Sequence, residues 1–211
     1  MAFPNPERAD ARRNVAGRLL CLTVLAATAT PLAAAGQTVS SATLVSDFRT
    51  MCMATNASRE GALAEAEKRR WAQFPTKGFA QGNETFIEAR RSGDRFLLVS
   101  ENPGDLLGAD GKQRIRVRYK VCRVFARVDD PKAVITFAEG VVGPIKPYSA
   151  DTFAREWFYS RTDAGPRPLI TNGDAVEAAR AGRFRQLMVS DEQTPARAKN
   201  TALSYTVVVT P

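Results

Sequence analysis

The sequence predicts an α+β fold, an antiparallel sheet with helices packed on one side. Three observations predict it. Residues 112–128 alternate apolar and polar with a period of two, as a half-buried strand does. Segments 85–90 and 95–100 flank the turn Arg91-Ser92-Gly93-Asp94 as a hairpin would. Helix starts are marked by Ser58, with Glu60 in the first turn, and by Asp130 followed by Pro131.

In chain order, residues 36–46 are small and polar and read as a flexible lead-in to a single α+β domain over 47–211. Phe48 and Cys52 share a helical face at i, i+4. After Ser58 the Ala-rich run from Ala62 to Ala66 favours helix through Arg70, with Glu65 and Arg69 as an i, i+4 pair. Pro75 and Gly78 end it near Trp71. Beyond the hairpin, Asn102-Pro103-Gly104 and Asp110-Gly111 punctuate a loop. In the long strand, Ile115, Val117, Tyr119 and Val121 alternate in one phase and Cys122, Val124, Ala126 and Val128 in the other. A phase change in mid-run predicts a β-bulge or a break near Cys122. The helix from Pro131 places Val134, Phe137 and Val141 on one face and stops at Gly143-Pro144. Over 149–159, Phe153 and Trp157 fit helix spacing whereas Trp157-Phe158-Tyr159 favours strand, and a short helix is expected. Segments 183–190 and 201–209 close the sheet as strands.

An internal repeat is one reading of this order. Arg91-Ser92-Gly93 with Phe96 to Glu101 resembles Arg180-Ala181-Gly182 with Phe184 to Asp191. At an offset near 89 residues, the helix of Cys52 falls on that of Phe137, and 58–71 falls on 149–157. Each half, about 47–129 and 130–211, would then be two helices and three antiparallel strands. Chance similarity of two hairpins is the other reading.

The amino terminus orders a basic stretch (Arg8, Arg12, Arg13, Arg18), an apolar run from Leu19 to Leu25 and the small residues Ala33-Ala34-Ala35. That is the order of a secretory signal, so residues 1–35 are expected to be a signal peptide and the protein periplasmic or secreted. The apolar run is broken by Thr23, Thr28, Thr30 and Pro31. It is shorter than the roughly 20 residues of a membrane-spanning helix, which favours cleavage after Ala35. Arg12-Arg13 lacks the usual twin-arginine sequel, and Cys21 has no small residue before it to suit a lipid anchor. Sequons at Asn56 and Asn83 would matter only in a eukaryotic secretory pathway.

The chain carries +8, and its first 35 residues hold four Arg against Glu7 and Asp10, leaving the remainder at +6. A basic domain usually raises nucleic acid first. For an exported one the anions at hand are lipid headgroups, cell-wall polymers or an acidic envelope protein, and nucleic acid is not expected. Past residue 35 only Cys52 and Cys122 remain, and in an oxidising space a lone pair most simply forms one disulfide. Cys52 with Thr55, an Ala-rich helix with Ala62 and Ala66, and then Trp71 together resemble a stretch of small exported bacterial proteins of unknown role. The likeness spans Cys52 to Trp71, implies no activity and carries over no catalytic residue.

Candidate chemistry is bounded first by what is missing. The chain has no His, which excludes a Ser-His-Asp triad, a Cys-His pair and a His-ligated zinc site. It also contains no G-x-S-x-G elbow, S-x-x-K dyad, P-loop or G-x-G-x-x-G run. No cofactor or metal is expected. Glu101, Asp105 and Asp110 offer oxygens of the kind calcium takes, but they do not match an EF-hand and Asp110-Gly111 is accounted for as a turn. The distinctive surface feature is Lys112, Arg114, Arg116, Arg118 and Lys120, cations at alternating positions on one face of a strand. Spaced about 6.6 Å apart, they would suit phosphates or other anions. The plainer reading is the wet face of an amphipathic strand, whose like charges discourage edge pairing. Tyr148, Phe153, Trp157, Phe158 and Tyr159, with Arg155 and Arg161 interleaved, read either as a stacking platform or as core.

The expected function is that of an exported, noncatalytic binding or accessory protein, contacting an anionic envelope component or a partner protein through the basic strand face. The competing reading is a cell-envelope enzyme, a hydrolase using carboxylates. A pocket holding two converging acids of perturbed pKa would favour the enzyme, and a basic face without such a pocket would favour binding.

Overall fold

Helix α1 (Ser41–Phe48) begins where the Ser40 hydroxyl accepts the Thr43 N–H at 3.2 Å. The computed structural model describes residues 37–76, 86–108, 110–150, 154–193 and 199–211. Residues 1–35, expected to be a signal peptide, lie outside them, as do Asn83 and Phe153. Residues 37–46 are anchored and do not form the lead-in that their composition suggests. Val39 bridges to Val128, and the Ser41 hydroxyl donates to Asp129 Oδ1 at 2.6 Å. These partners are 88 residues away, which local composition cannot report. The Ser41 hydroxyl and N–H also hold the Asp129 carboxyl below the usual carboxylate range.

α1 runs on into a π-helical turn, Arg49–Met53, and both Met51 and Cys52 are fully buried. The wider turn lets two consecutive residues face inward. Ser58 then caps α2 (Arg59–Lys68) by accepting the Gly61 N–H. Ala62 and Ala66 are fully buried, so α2 lies close to its neighbours. The expected Glu65–Arg69 pair does not form: Glu65 takes Lys68 at 2.6 Å, and Arg69 reaches Asp47 at 3.0 Å. Asp47 is buried on α1, and a buried carboxylate needs cationic partners more than an exposed one does.

The strands are β1 (Ala72–Phe74), β2 (Phe86–Ser92), β3 (Arg95–Leu107), β4 (Arg114–Ala126), β5 (Ser149–Ala150), β6 (Ala154–Thr162), β7 (Gly165–Pro168), β8 (Phe184–Gln193) and β9 (Lys199–Val209). Helix α3 (Pro131–Val142) follows β4, and α4 (Asn172–Arg180) follows β7. Among the described residues they form one antiparallel sheet in the order β1-β2-β3-β4-β9-β8-β6-β5, with β7 also on β6. Asn102-Pro103-Gly104 is not a loop but part of β3. Past Glu101, among the described residues, β3 pairs with β4 alone, and a proline is tolerated where a strand has a partner on one side only. Gly104 lies under the Tyr119 ring, where a Cβ would come within 2.3 Å of Cε2.

Segment 149–159 is not a helix; it forms β5 and the start of β6, because β8 offers a long partner edge to its aromatic run. Helix α4 was not anticipated, although Thr171 and Asp174 make a capping box at its start. The offset of 89 residues sets Phe48 of α1 on Phe137 of α3 in the sequence. It also sets α2 against the strands β5 and β6, so the second half does not repeat the two-helix order of the first.

The main core lies on one face, where α1, α2 and α3 cover Leu97, Val99, Cys122, Val124, Trp157, Leu187 and Leu203. Cys52 and Cys122 form a disulfide there, across a sequence separation of 70. On the opposite face Phe96 stacks on Phe125 at 5.0 Å. Further along that face Ala178 and Ala179 of α4 cover Val117, Phe184 and Val208. The structure is thus α+β with an antiparallel sheet; three helices share one face and α4 takes part of the other. Among the described residues no helix is long and apolar enough to cross a membrane.

Candidate functional site

The basic ladder owes its position to how the two faces are covered. Along β4 the pairing with β3 is unbroken from Phe96↔Phe125 to Leu107↔Arg114, and that with β9 from Arg118↔Val209 to Ala126↔Thr201. There is no bulge near Cys122. Even-numbered residues face one way throughout, and Cys122, Val124 and Ala126 meet the helical layer. The layer ends there, and Arg114, Arg116 and Arg118 on the same face are exposed. At that end α4 covers the other face, so Val117 is buried. The phase change in the sequence therefore marks a change in which face is covered, on a straight strand.

Arg114, Arg116, Arg118 and Lys120 lie on β4, whereas Lys112 sits in the β3–β4 turn. Two carboxylates of β3 share the face. Arg114 pairs with Asp105 at 3.6 Å and Arg118 with Glu101 at 3.4 Å. Among the described residues Lys112, Arg116 and Lys120 have no ion-pair partner. Arg116 and Arg118 border an open groove of about 460 Å³ with Pro103, Gly104, Asp105, Val117 and Pro211. Tyr119 stands on the opposite side of the strand; burial, with the Asp105 charge second, pushes its phenol up.

The carboxylates singled out for calcium do not converge. Asp110 accepts the Lys112 and Gln113 N–H groups, both at 2.9 Å, and the Gln113 bond is the main cause of its lowered pKa. Glu101 and Asp105 face arginines instead. Among the described residues no group of three or more His, Cys, Asp or Glu could hold a metal ion.

The aromatic group is divided. Trp157 and Tyr159 are buried in the main core, Phe158 packs toward Phe184 on the opposite face, and exposed Tyr148 meets Phe158 edge-on at 5.3 Å. Arg155 pairs with Glu139 at 2.7 Å. They make no single platform. Sequence reasoning missed Arg185, which continues the row of Lys120 across the sheet through Val207 and on to Tyr159. Its signal was an arginine in the phase of Leu187 and Val189, where the strand is otherwise apolar. It stands behind a second cleft, lined by Met53, Val141, Tyr159, Arg161, Pro166 and Tyr205 among others.

Neither cleft brings two carboxylates together. The carboxyls with shifted pKa, Asp110, Asp129 and Asp174, are all lowered by hydrogen bonds at turns and helix starts. Such acids hold the fold and are not poised as proton donors at neutral pH. Comparison of the chain with protein-family models, curated proteins and solved structures finds no match.

Proposed function

We propose that this chain is an exported binding protein that holds an anionic component of the cell envelope against the open end of β4. The observation that carries the reading is that the helical layer stops at Cys122 and leaves a row of cations uncovered on β4, which β3 pairs from Arg114 onward and β9 from Arg118 onward. A sheet keeps such charges in fixed register, which favours an extended array of anions over a single small one. The two β3 carboxylates neutralise only part of the row. Export is supported by the order of residues 1–35 and by a disulfide, a bond that persists in oxidising compartments.

Replacing Arg114, Arg116 and Arg118 together with Ser weakens adsorption to vesicles rich in anionic phospholipid by at least about tenfold and flattens its salt dependence. Equal binding by variant and parent would reduce the row to a solvated face. Intact-mass measurement of protein recovered from the envelope or the medium shows a chain starting near Gly36; mostly full-length cytoplasmic protein would contradict export.

A further inference from the structure

We propose that the cleft over Tyr159 and Tyr205 is a second, separate site, which binds a small organic anion, a carboxylate or phosphate ester bearing an apolar group. Its volume, about 370 Å³, is that of a small-ligand pocket. The floor is built around a buried cation. Arg185 is 5% exposed, and its Nε–H donates to Tyr205 Oη at 3.0 Å. Another of its guanidinium nitrogens donates to the Gly182 and Phe184 carbonyls, both at 2.8 Å. Among the described residues no carboxylate lies within ion-pair distance of it. A buried charge is ordinarily paired, because desolvation is otherwise uncompensated. This one is met by neutral groups alone and leaves a positive potential at the floor.

The phenols carry that potential into the cleft. Burial first, and the neighbouring Tyr205 second, push the Tyr159 phenol up, so it keeps its proton at any physiological pH. The Arg185 Nε–H occupies a lone pair of Tyr205 Oη and leaves both phenolic O–H groups as donors. Both phenols line the cleft. Arg161 stands exposed in the same lining without an ion-pair partner among the described residues. Met53, Val141 and Pro166 supply apolar wall. Phenolic donors and the Arg161 cation in the lining, backed by Arg185 behind Tyr205 and accompanied by apolar side chains, complement an anionic head on an apolar body.

The test uses the full mature protein with octanoate, octyl phosphate and 1-octanol as probes, read by calorimetry. Octanoate or octyl phosphate binds and octanol binds at least about tenfold more weakly, since a hydrogen bond to a charged group carries that much discrimination. The tighter of the two anions identifies the head group. Arg161→Ser, a change at an exposed position, lowers the anion affinity by a similar factor, and Tyr205→Phe does so if its melting curve stays cooperative. The Arg114, Arg116 and Arg118 triple variant binds the probes as the parent does, which separates this site from the strand face. Equal binding of octanol and octanoate, no effect of Arg161→Ser, or no binding of either anion at millimolar concentration overturns the proposal.

Discussion

Replacing Cys52 with Ser lowers the stability of the protein by about 4 kcal/mol, because the Cys52–Cys122 bond closes a loop of 70 residues and constrains the unfolded chain accordingly. That is a large share of the roughly 5–15 kcal/mol by which a domain is held folded. For a domain of this size it corresponds to a fall in melting temperature of about 10 °C. Both sulfurs lie in the main core with Phe48 and Val124, so the variant also leaves a poorly filled site where the π-helical turn meets β4. Hydrogen exchange should therefore rise first in α1, the π turn and α2, the elements that the bond ties to the sheet. Thermal melts with and without reductant measure the effect. Thiol titration of the denatured parent should find no free thiol past residue 35; two would show the bond absent and return both cysteines to consideration as nucleophiles.

Asp47→Asn costs about 3 kcal/mol, the cost of breaking a buried ion pair. The side chain is 3% exposed and receives Arg95 at 2.6 Å on one oxygen and Arg69 at 3.0 Å on the other. Charge-assisted bonds of this kind are the stronger class. The two guanidiniums are partly exposed, at 25% and 36%, so water takes up some of their charge once the carboxylate is gone. That keeps the loss from growing larger. Arg95 also lies over the Trp71 ring at 5.1 Å, and the cluster thereby joins α1, the end of α2 and the start of β3. Denaturant unfolding reads the stability loss, and tryptophan fluorescence in a Trp157→Phe background reads the loosened Trp71 ring. A loss below about 0.5 kcal/mol would mean that desolvation cancels the attraction.

The side chains singled out between Cys52 and Trp71 are explained by packing. Cys52 forms the disulfide, Thr55 Oγ1 donates to the Met51 carbonyl at 2.5 Å, Ala62 and Ala66 are fully buried, and Trp71 receives Arg95. None of these side chains lines either of the two proposed sites.

By itself the sequence determined those features whose physics is local. The helix starts at Ser58 and Asp130, the hairpin turn at Gly93-Asp94 and the pairing of the last two cysteines follow from hydrogen-bond capacity, backbone freedom and counting, and the structure has each of them. Other features depend on what lies across space. Phase reports which face of a strand is covered but not by what, so the switch in β4 resembled a bulge until α4 was seen on the far side. The aromatic run 157–159 has helix and strand spacings at once, and only the long edge of β8 decides between them. Pro103 stands in β3 where, among the described residues, β4 is the one paired neighbour. The alternation of the basic row was legible as in any amphipathic strand; whether it faced core or water was decided by where the helices stop. Arg185 was the least legible, because an arginine in an apolar phase gains its meaning from the neighbours that fail to neutralise it, and those neighbours come from other strands.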